Sequence, residues 1–91
     1  MVEVDGNVDA GALDGWLGRL LGRPDIDVLR MKGILAIQGF ARRFVVQSVR
    51  QAVDVRPMRP WGDEERVTRL VFIGRGLSTE ALQEGLSACR A

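Results

Sequence analysis

Val67-Thr68-Arg69-Leu70-Val71-Phe72-Ile73-Gly74 is the most apolar stretch of the chain. Its β-branched and aromatic residues predict a strand over 67–74, placed centrally in the sheet. Gly74-Arg75-Gly76 then offers a glycine-bounded turn. Ser78 follows as an N-cap, since its hydroxyl can accept from the free amides that open a helix. Leu77 and Leu82 flank that cap as the two ends of a hydrophobic staple. Leu82, Leu86 and Cys89 recur at helical spacing and form the inner stripe of this last helix.

Working back toward the N-terminus, residues 28–38 alternate in a strand-like way. Leu29, Met31, Leu35 and Ile37 point one way, and Arg30, Lys32 and Gln38 the other. Gly39 offers a turn, and residues 42–52 read as the next strand, hairpin-paired with the first. Residues 53–66 carry Pro57, Pro60, Gly62 and the acidic run Asp63-Glu64-Glu65. Prolines cannot donate to a ladder, so this segment is expected to be a loop or ragged edge. At the start of the chain, residues 1–5 read as a short strand. Asp9 is the cap of a first helix, stapled by Val8 and Leu13. Leu13, Trp16, Leu17, Leu20 and Leu21 follow the i, i+3, i+4, i+7, i+8 pattern of one helix face. Gly22 in a left-handed conformation would close that helix, and Pro24 bars its return.

The expected order is therefore β-α-β-β-β-α in one α+β domain spanning 1–91. Two amphipathic helices each need a sheet face, so both are expected on one side of a four-stranded mixed or antiparallel sheet. Strand 1 returns through helix 1, which makes a parallel pairing with the following strand the expectation.

At 91 residues the chain has room for one domain and a modest core, burying roughly 60–65% of its unfolded surface. Net charge is +1, so no global field draws the chain to nucleic acid or an anionic membrane. The distribution is uneven. Residues 1–29 hold Glu3, Asp5, Asp9, Asp14, Asp25 and Asp27 against Arg19 and Arg23. Residues 30–59 hold Arg30, Lys32, Arg42, Arg43, Arg50, Arg56 and Arg59 against Asp54 alone. Such a pattern reads either as solvated strand faces or as a basic surface for a partner. Cys89 is the only cysteine, so no internal disulfide forms. Met1 leads into Val2-Glu3-Val4-Asp5 rather than a basic and then apolar run, and nothing approaches a membrane span of about 20 apolar residues. The expected location is the cytoplasm.

Catalytic chemistry has few tools here. With no histidine or tyrosine, a histidine general base, a Ser-His-Asp triad and a Cys-His pair are excluded. Asp25-Ile26-Asp27 and Asp63-Glu64-Glu65 match no calcium loop. Gly74-Arg75-Gly76 lacks the third glycine of the dinucleotide fingerprint and the Gly-Lys-Ser/Thr of the P-loop. No catalytic, cofactor-binding or metal-binding residue is therefore assigned. Arg30, Lys32 and Arg69 lie on strands and can line one polar sheet face, either solvated or as a docking surface. Trp61 follows Pro60 in a polar segment, where its ring must fold back onto the sheet or meet a partner. These four form the candidate interaction surface.

Several blocks carry a resemblance. Asp27-Val28-Leu29-Arg30-Met31-Lys32-Gly33-Ile34-Leu35, Phe44-Val45-Val46-Gln47, Pro60-Trp61-Gly62 and Arg69-Leu70-Val71-Phe72-Ile73-Gly74-Arg75-Gly76-Leu77 follow one another in order. In sequence and spacing they resemble the C-terminal domain of CobW-type proteins, over essentially residues 1–90. CobW-type proteins are P-loop GTPases of the metal-chaperone kind, linked to delivery of zinc, cobalt or iron and to cobalamin biosynthesis. The resemblance implies a parent protein that uses GTP and a divalent metal, with both sites in a larger N-terminal domain. It implies as partners that GTPase domain, a client metalloprotein, or both, and no membrane. Many relatives carry a histidine near the end of the third strand, where this chain has Gln47-Ser48-Val49-Arg50, so no auxiliary metal site is carried over. The alternative reading is a free-standing nucleic-acid- or protein-binding module using the basic 30–59 segment. Its near-zero net charge and sparse aromatics argue against nucleic acid.

Overall fold

The computed structural model describes residues 1–91 as one α+β unit with five strands and two helices. The elements are β1 (Val2–Asp5), α1 (Ala10–Leu21), β2 (Asp27–Leu35), β3 (Arg42–Val49), β4 (Ala52–Pro60), β5 (Val67–Arg75) and α2 (Thr79–Ser87). The single sheet has the order β1-β5-β2-β3-β4, and every pairing is antiparallel. The class and the two-helix layer follow the sequence reading, while the strand count is five rather than four.

The extra strand is β4. Residues 53–66 were expected as a loop or ragged edge because of Pro57 and Pro60; their first part, with Ala52, is instead a regular edge strand that pairs with β3 from Val49↔Ala52 to Arg42↔Pro60. An edge strand leaves one hydrogen-bonding row unused, and proline is tolerated where its missing N–H would face that row. A register shift between Arg42 and Phe44 absorbs the remaining misfit. Arg50 and Gln51 make the tight connection between β3 and β4, with Arg50 at φ 53, a left-handed conformation unusual outside glycine.

The expected neighbouring of strand 1 and the strand after α1 is also corrected. β5 inserts between them, pairing with β1 from Val2↔Leu70 to Asp5↔Val67 and with β2 on its other side. β1 and β2 thus run in the same direction without touching. The most apolar strand, expected at the centre, takes an interior place second from the edge, and β2 holds the centre. Met31, Leu35, Val46, Leu70, Val2 and Val4 point from the sheet into that layer, where they meet Leu13, Leu17, Leu20, Leu82, Leu86 and Cys89.

Both caps form as the sequence indicates. Asp9 Oδ2 accepts from Ala12 N at 2.9 Å, and Ser78 Oγ accepts from Ala81 N at 3.2 Å. Gly22 differs, closing α1 at φ −91 in the right-handed region, with its N–H donating to Gly18 O. Trp16 is half-buried at the edge of the core and meets Phe72 edge-on, with ring centroids 6.2 Å apart. β2 ends at Leu35 rather than continuing to Gln38. Beyond it, Val8 N donates to Ala36 O at 2.8 Å and Gln38 N donates to Val8 O at 3.0 Å, which draws the β1–α1 connection across residues 36–38. Asp9 N reaches Cys89 O at 2.8 Å, so the C-terminal end of the chain closes over the same point.

Candidate functional site

The sheet has one face under the helices and one face open. Alternation along each strand decides which side chains face outward. On β2 these are Arg30, Lys32 and Ile34; on β5 they are Arg69, Val71 and Ile73; on β3 they are Val45, Gln47 and Val49. The register sets them in rows. Arg30 lies between Ile73 and Val49, Lys32 between Val71 and Gln47, and Ile34 between Arg69 and Val45. β4 extends the rows with Ala52, Asp54 and Arg56. The middle of the face, from Asp54 and Arg56 across Arg30 and Lys32 to Val71 and Ile73, forms an open, shallow concavity of about 740 Å³, with Ile34, Val45 and Arg69 outside it.

The electrostatics of this face are simple. Arg69 Nε meets Glu3 Oε2 at 2.6 Å across β5 and β1, and Arg56 Nε meets Asp54 Oδ2 at 2.8 Å within β4. Arg30 and Lys32, at the middle of the face, are exposed and enter none of the chain's ion pairs. Around them Ile73 is 56% exposed and Val49 60% exposed, an apolar surface open to contact. Three of the four residues singled out from the sequence therefore share one face, although Arg69 is already committed to Glu3.

Trp61 is the exception and corrects that grouping. Trp61 is 3% exposed, outside the main core cluster. The guanidinium of Arg43 stacks 4.3 Å from its centroid, an arrangement favourable by about 0.5–2 kcal/mol. Arg43 is held in turn by the Glu64 carboxylate, which also lies 3.6 Å from Arg59 Nη2. The Arg43 hydrogen bond and charge hold the Glu64 carboxyl below its ordinary range. Trp61 thus folds back rather than meeting a partner, because a basic strand residue and an acidic loop residue close over it.

The sequence reading missed the apolar members of the open face, Val49, Val71 and Ile73. Their signal was present: strands β3 and β5 are apolar on both alternations, which one-sided burial does not require. It also missed an apolar groove of about 320 Å³ on the helix side, between α1 and β3–β4, lined chiefly by Leu13, Leu17, Phe40, Phe44 and Val55. Prolines in 52–60 concealed the strand that brings Val55 to its wall.

No three Cys, Asp or Glu side chains converge in the structure, and the chain has no histidine. Cys89 is buried, with its thiol donating to Gly85 O at 3.3 Å, and burial pushes its pKa upward. The Gly74-Arg75-Gly76 turn has a structural explanation. A side chain at Gly74 would strike the Asp27 backbone, and Gly76 takes φ +71 against Asp25 O. The donor set of this chain does not fit a zinc ion.

Comparison with known proteins gives this surface a context. The zinc chaperone YjiA of Escherichia coli is 33% identical over 90 residues, matching 99% of this chain and 28% of that protein. The zinc chaperone CobW of Pseudomonas aeruginosa is 42% identical over 85 residues, matching 92% of this chain and 22% of that protein. The crystal structure of Zn(II)-bound YjiA GTPase from E. coli superposes with a TM-score of 0.88 at 33% identity, again over 99% of this chain and 28% of the other. The chain thus spans about a quarter of the length of these relatives. The model of the cobalamin synthesis protein cobW C-terminal domain matches residues 1–90, and the chain belongs to that family.

Proposed function

We propose that this chain is the non-catalytic C-terminal docking domain of a GTP-dependent zinc chaperone. The observation that carries this reading is the extent of the match. Family identity runs over residues 1–90, yet this covers only about a quarter of relatives named as zinc chaperones. GTP binding and metal capture are then the work of the remaining part of the parent protein, with zinc as cargo. The domain rests against the GTPase domain or a client protein through the open sheet face, using Arg30, Lys32 and their apolar neighbours. The parent acts in the cytoplasm, where client metalloenzymes are loaded. No helix here is long and apolar enough to cross a membrane.

The test has two parts. The parent coding sequence is expected to contain a P-loop and a Cys-x-Cys-Cys segment before this domain. The GTPase domain and this chain, produced separately, are expected to associate, and this chain is expected neither to bind nor to hydrolyse GTP alone. GTP hydrolysis by the isolated chain, or no association with the GTPase domain or with any client, overturns the reading.

A further inference from the structure

The open sheet face carries information about the chemistry of what docks there. Arg30 and Lys32 stand two residues apart on β2 and project to the same side, with their points of attachment about 7 Å apart along the strand. Neither has an acidic partner within the chain, whereas the other cations of the face, Arg56 and Arg69, are each neutralised by a neighbour. Val71, Ile73 and Val49 flank the pair on both adjoining strands. Two uncompensated cations set in an exposed apolar strip are complementary to a surface with two anions and apolar side chains between or beside them.

We propose that this face is a transient docking surface for an acidic protein segment bearing two carboxylates about 7 Å apart among apolar side chains. The proposal rests on the docking-domain reading and adds the chemistry of the partner. An extended segment with acidic residues at alternate positions presents that spacing. A second copy of this chain does not fit, because a two-fold contact through the same patch sets Arg30 and Lys32 against themselves. Nucleic acid fits poorly, because the face presents no aromatic ring for a base to stack on and Glu3 and Asp54 lie at its margins. The contact is reversible in character, since two exposed ion pairs are screened by salt and the apolar strip is small.

The test uses the Met1–Ala91 chain, whose core closes within its own residues. A peptide of alternating Glu and Val, its Gln-Val counterpart and a single-stranded oligothymidylate are titrated while the backbone amide spectrum is followed. The Glu peptide is expected to shift residues of β2 and β5 around Arg30, Lys32, Val71 and Ile73, binding about tenfold more tightly than the Gln peptide. Raising salt from about 0.05 to about 0.3 M is expected to weaken it about tenfold. Arg30→Glu/Lys32→Glu is expected to abolish binding with an unchanged circular dichroism spectrum. Arg19→Glu/Arg90→Glu, which changes net charge equally on other surfaces, is expected to retain it. Equal binding of both peptides, shifts confined to the helix-side groove, or tighter binding of the oligonucleotide each overturns the proposal. If the chain associates with the parent GTPase domain while the acidic peptide fails, the docking-domain reading stands and the acidic-partner inference falls. The reverse result separates them the other way.

Discussion

Replacing Gly85 by alanine sets helix propensity against packing, and the structure decides the sign. In the interior of a helix the change is favourable by about 1 kcal/mol, because alanine loses less backbone entropy. Gly85 lies in α2 facing the indole of Trp16, and a Cβ there would sit 2.5 Å from Cε2 and 2.8 Å from Cζ2, with Nε1 closer still. Carbon atoms in contact sit about 3.5–4.0 Å apart, so the ring must move. It is not a loose chain end, since it packs edge-on against Phe72 and against the core cluster. Overpacking costs about 1–3 kcal/mol and disturbing the aromatic pair about 0.5–1.5 kcal/mol. The net expectation is destabilisation by about 1–3 kcal/mol, or a fall in Tm of about 5–20 °C for a domain of this size. Thermal and urea unfolding followed by circular dichroism measure it. In a Trp16→Leu background, where no atoms occupy the positions of Nε1, Cε2 and Cζ2, Gly85→Ala should turn stabilising by about 0.5–1 kcal/mol, giving a coupling energy readable from the cycle. A rise in Tm with Trp16 intact, or the same shift in both backgrounds, refutes the packing argument.

Gly33→Ala is expected to cost at least about 2 kcal/mol, since a Cβ there strikes the Arg69 carbonyl and comes within 2.9 Å of Leu70 Cδ2; urea unfolding checks it. Cys89, buried and with its pKa pushed up, is expected to react with a disulfide reagent at pH 8 only as fast as the domain opens, so its labelling rate should follow stability across the variants above. Glu64 has its carboxyl held low by Arg43, so the clamp over Trp61 is intact above the ordinary glutamate range and is lost as pH falls through the lowered value. The indole N–H signal of Trp61 should report that acid transition, and Glu64→Gln should abolish it.

The local signals in this sequence were strong because each is short-range. Asp9 and Ser78 act on amides three residues away, and the leucine stripes of α1 and α2 need only helical periodicity. That Val67–Gly74 forms an interior strand was legible because it is apolar on both alternations, although β2 rather than β5 holds the centre of the sheet. What stayed hidden depended on distant partners. Whether 52–60 is a loop or a strand turns on β3 offering it an edge, which proline content alone does not reveal. The place of β1 beside β5 joins residues almost seventy positions apart in the register Val2↔Leu70, and local pattern carries no trace of it. The candidate surface was half legible: alternation put Arg30, Lys32 and Arg69 on one face, but the Glu3–Arg69 pair needs the same distant register. Trp61 was undecided in sequence because Arg43, which covers it, lies on another strand.

The crossing at Val8 has a consequence for how the chain reaches this fold. β2, β3 and β4 pair with their immediate neighbours through short connections, so that meander costs little loop entropy to form. β1 has its only strand partner in β5, nearly seventy residues on, so that pairing closes a far longer loop than any in the meander. Gln83 bonds Glu3 through both its amide oxygen and its amide nitrogen, at 3.1 and 2.8 Å, and so joins α2 to β1. Val8, tied to Ala36 and Gln38 and bridged to Arg90, is where both ends of the chain are locked against its middle. These contacts act as a latch at the chain ends, and if the latch closes late, loosening Val8 or Gln83 should speed unfolding far more than it slows folding.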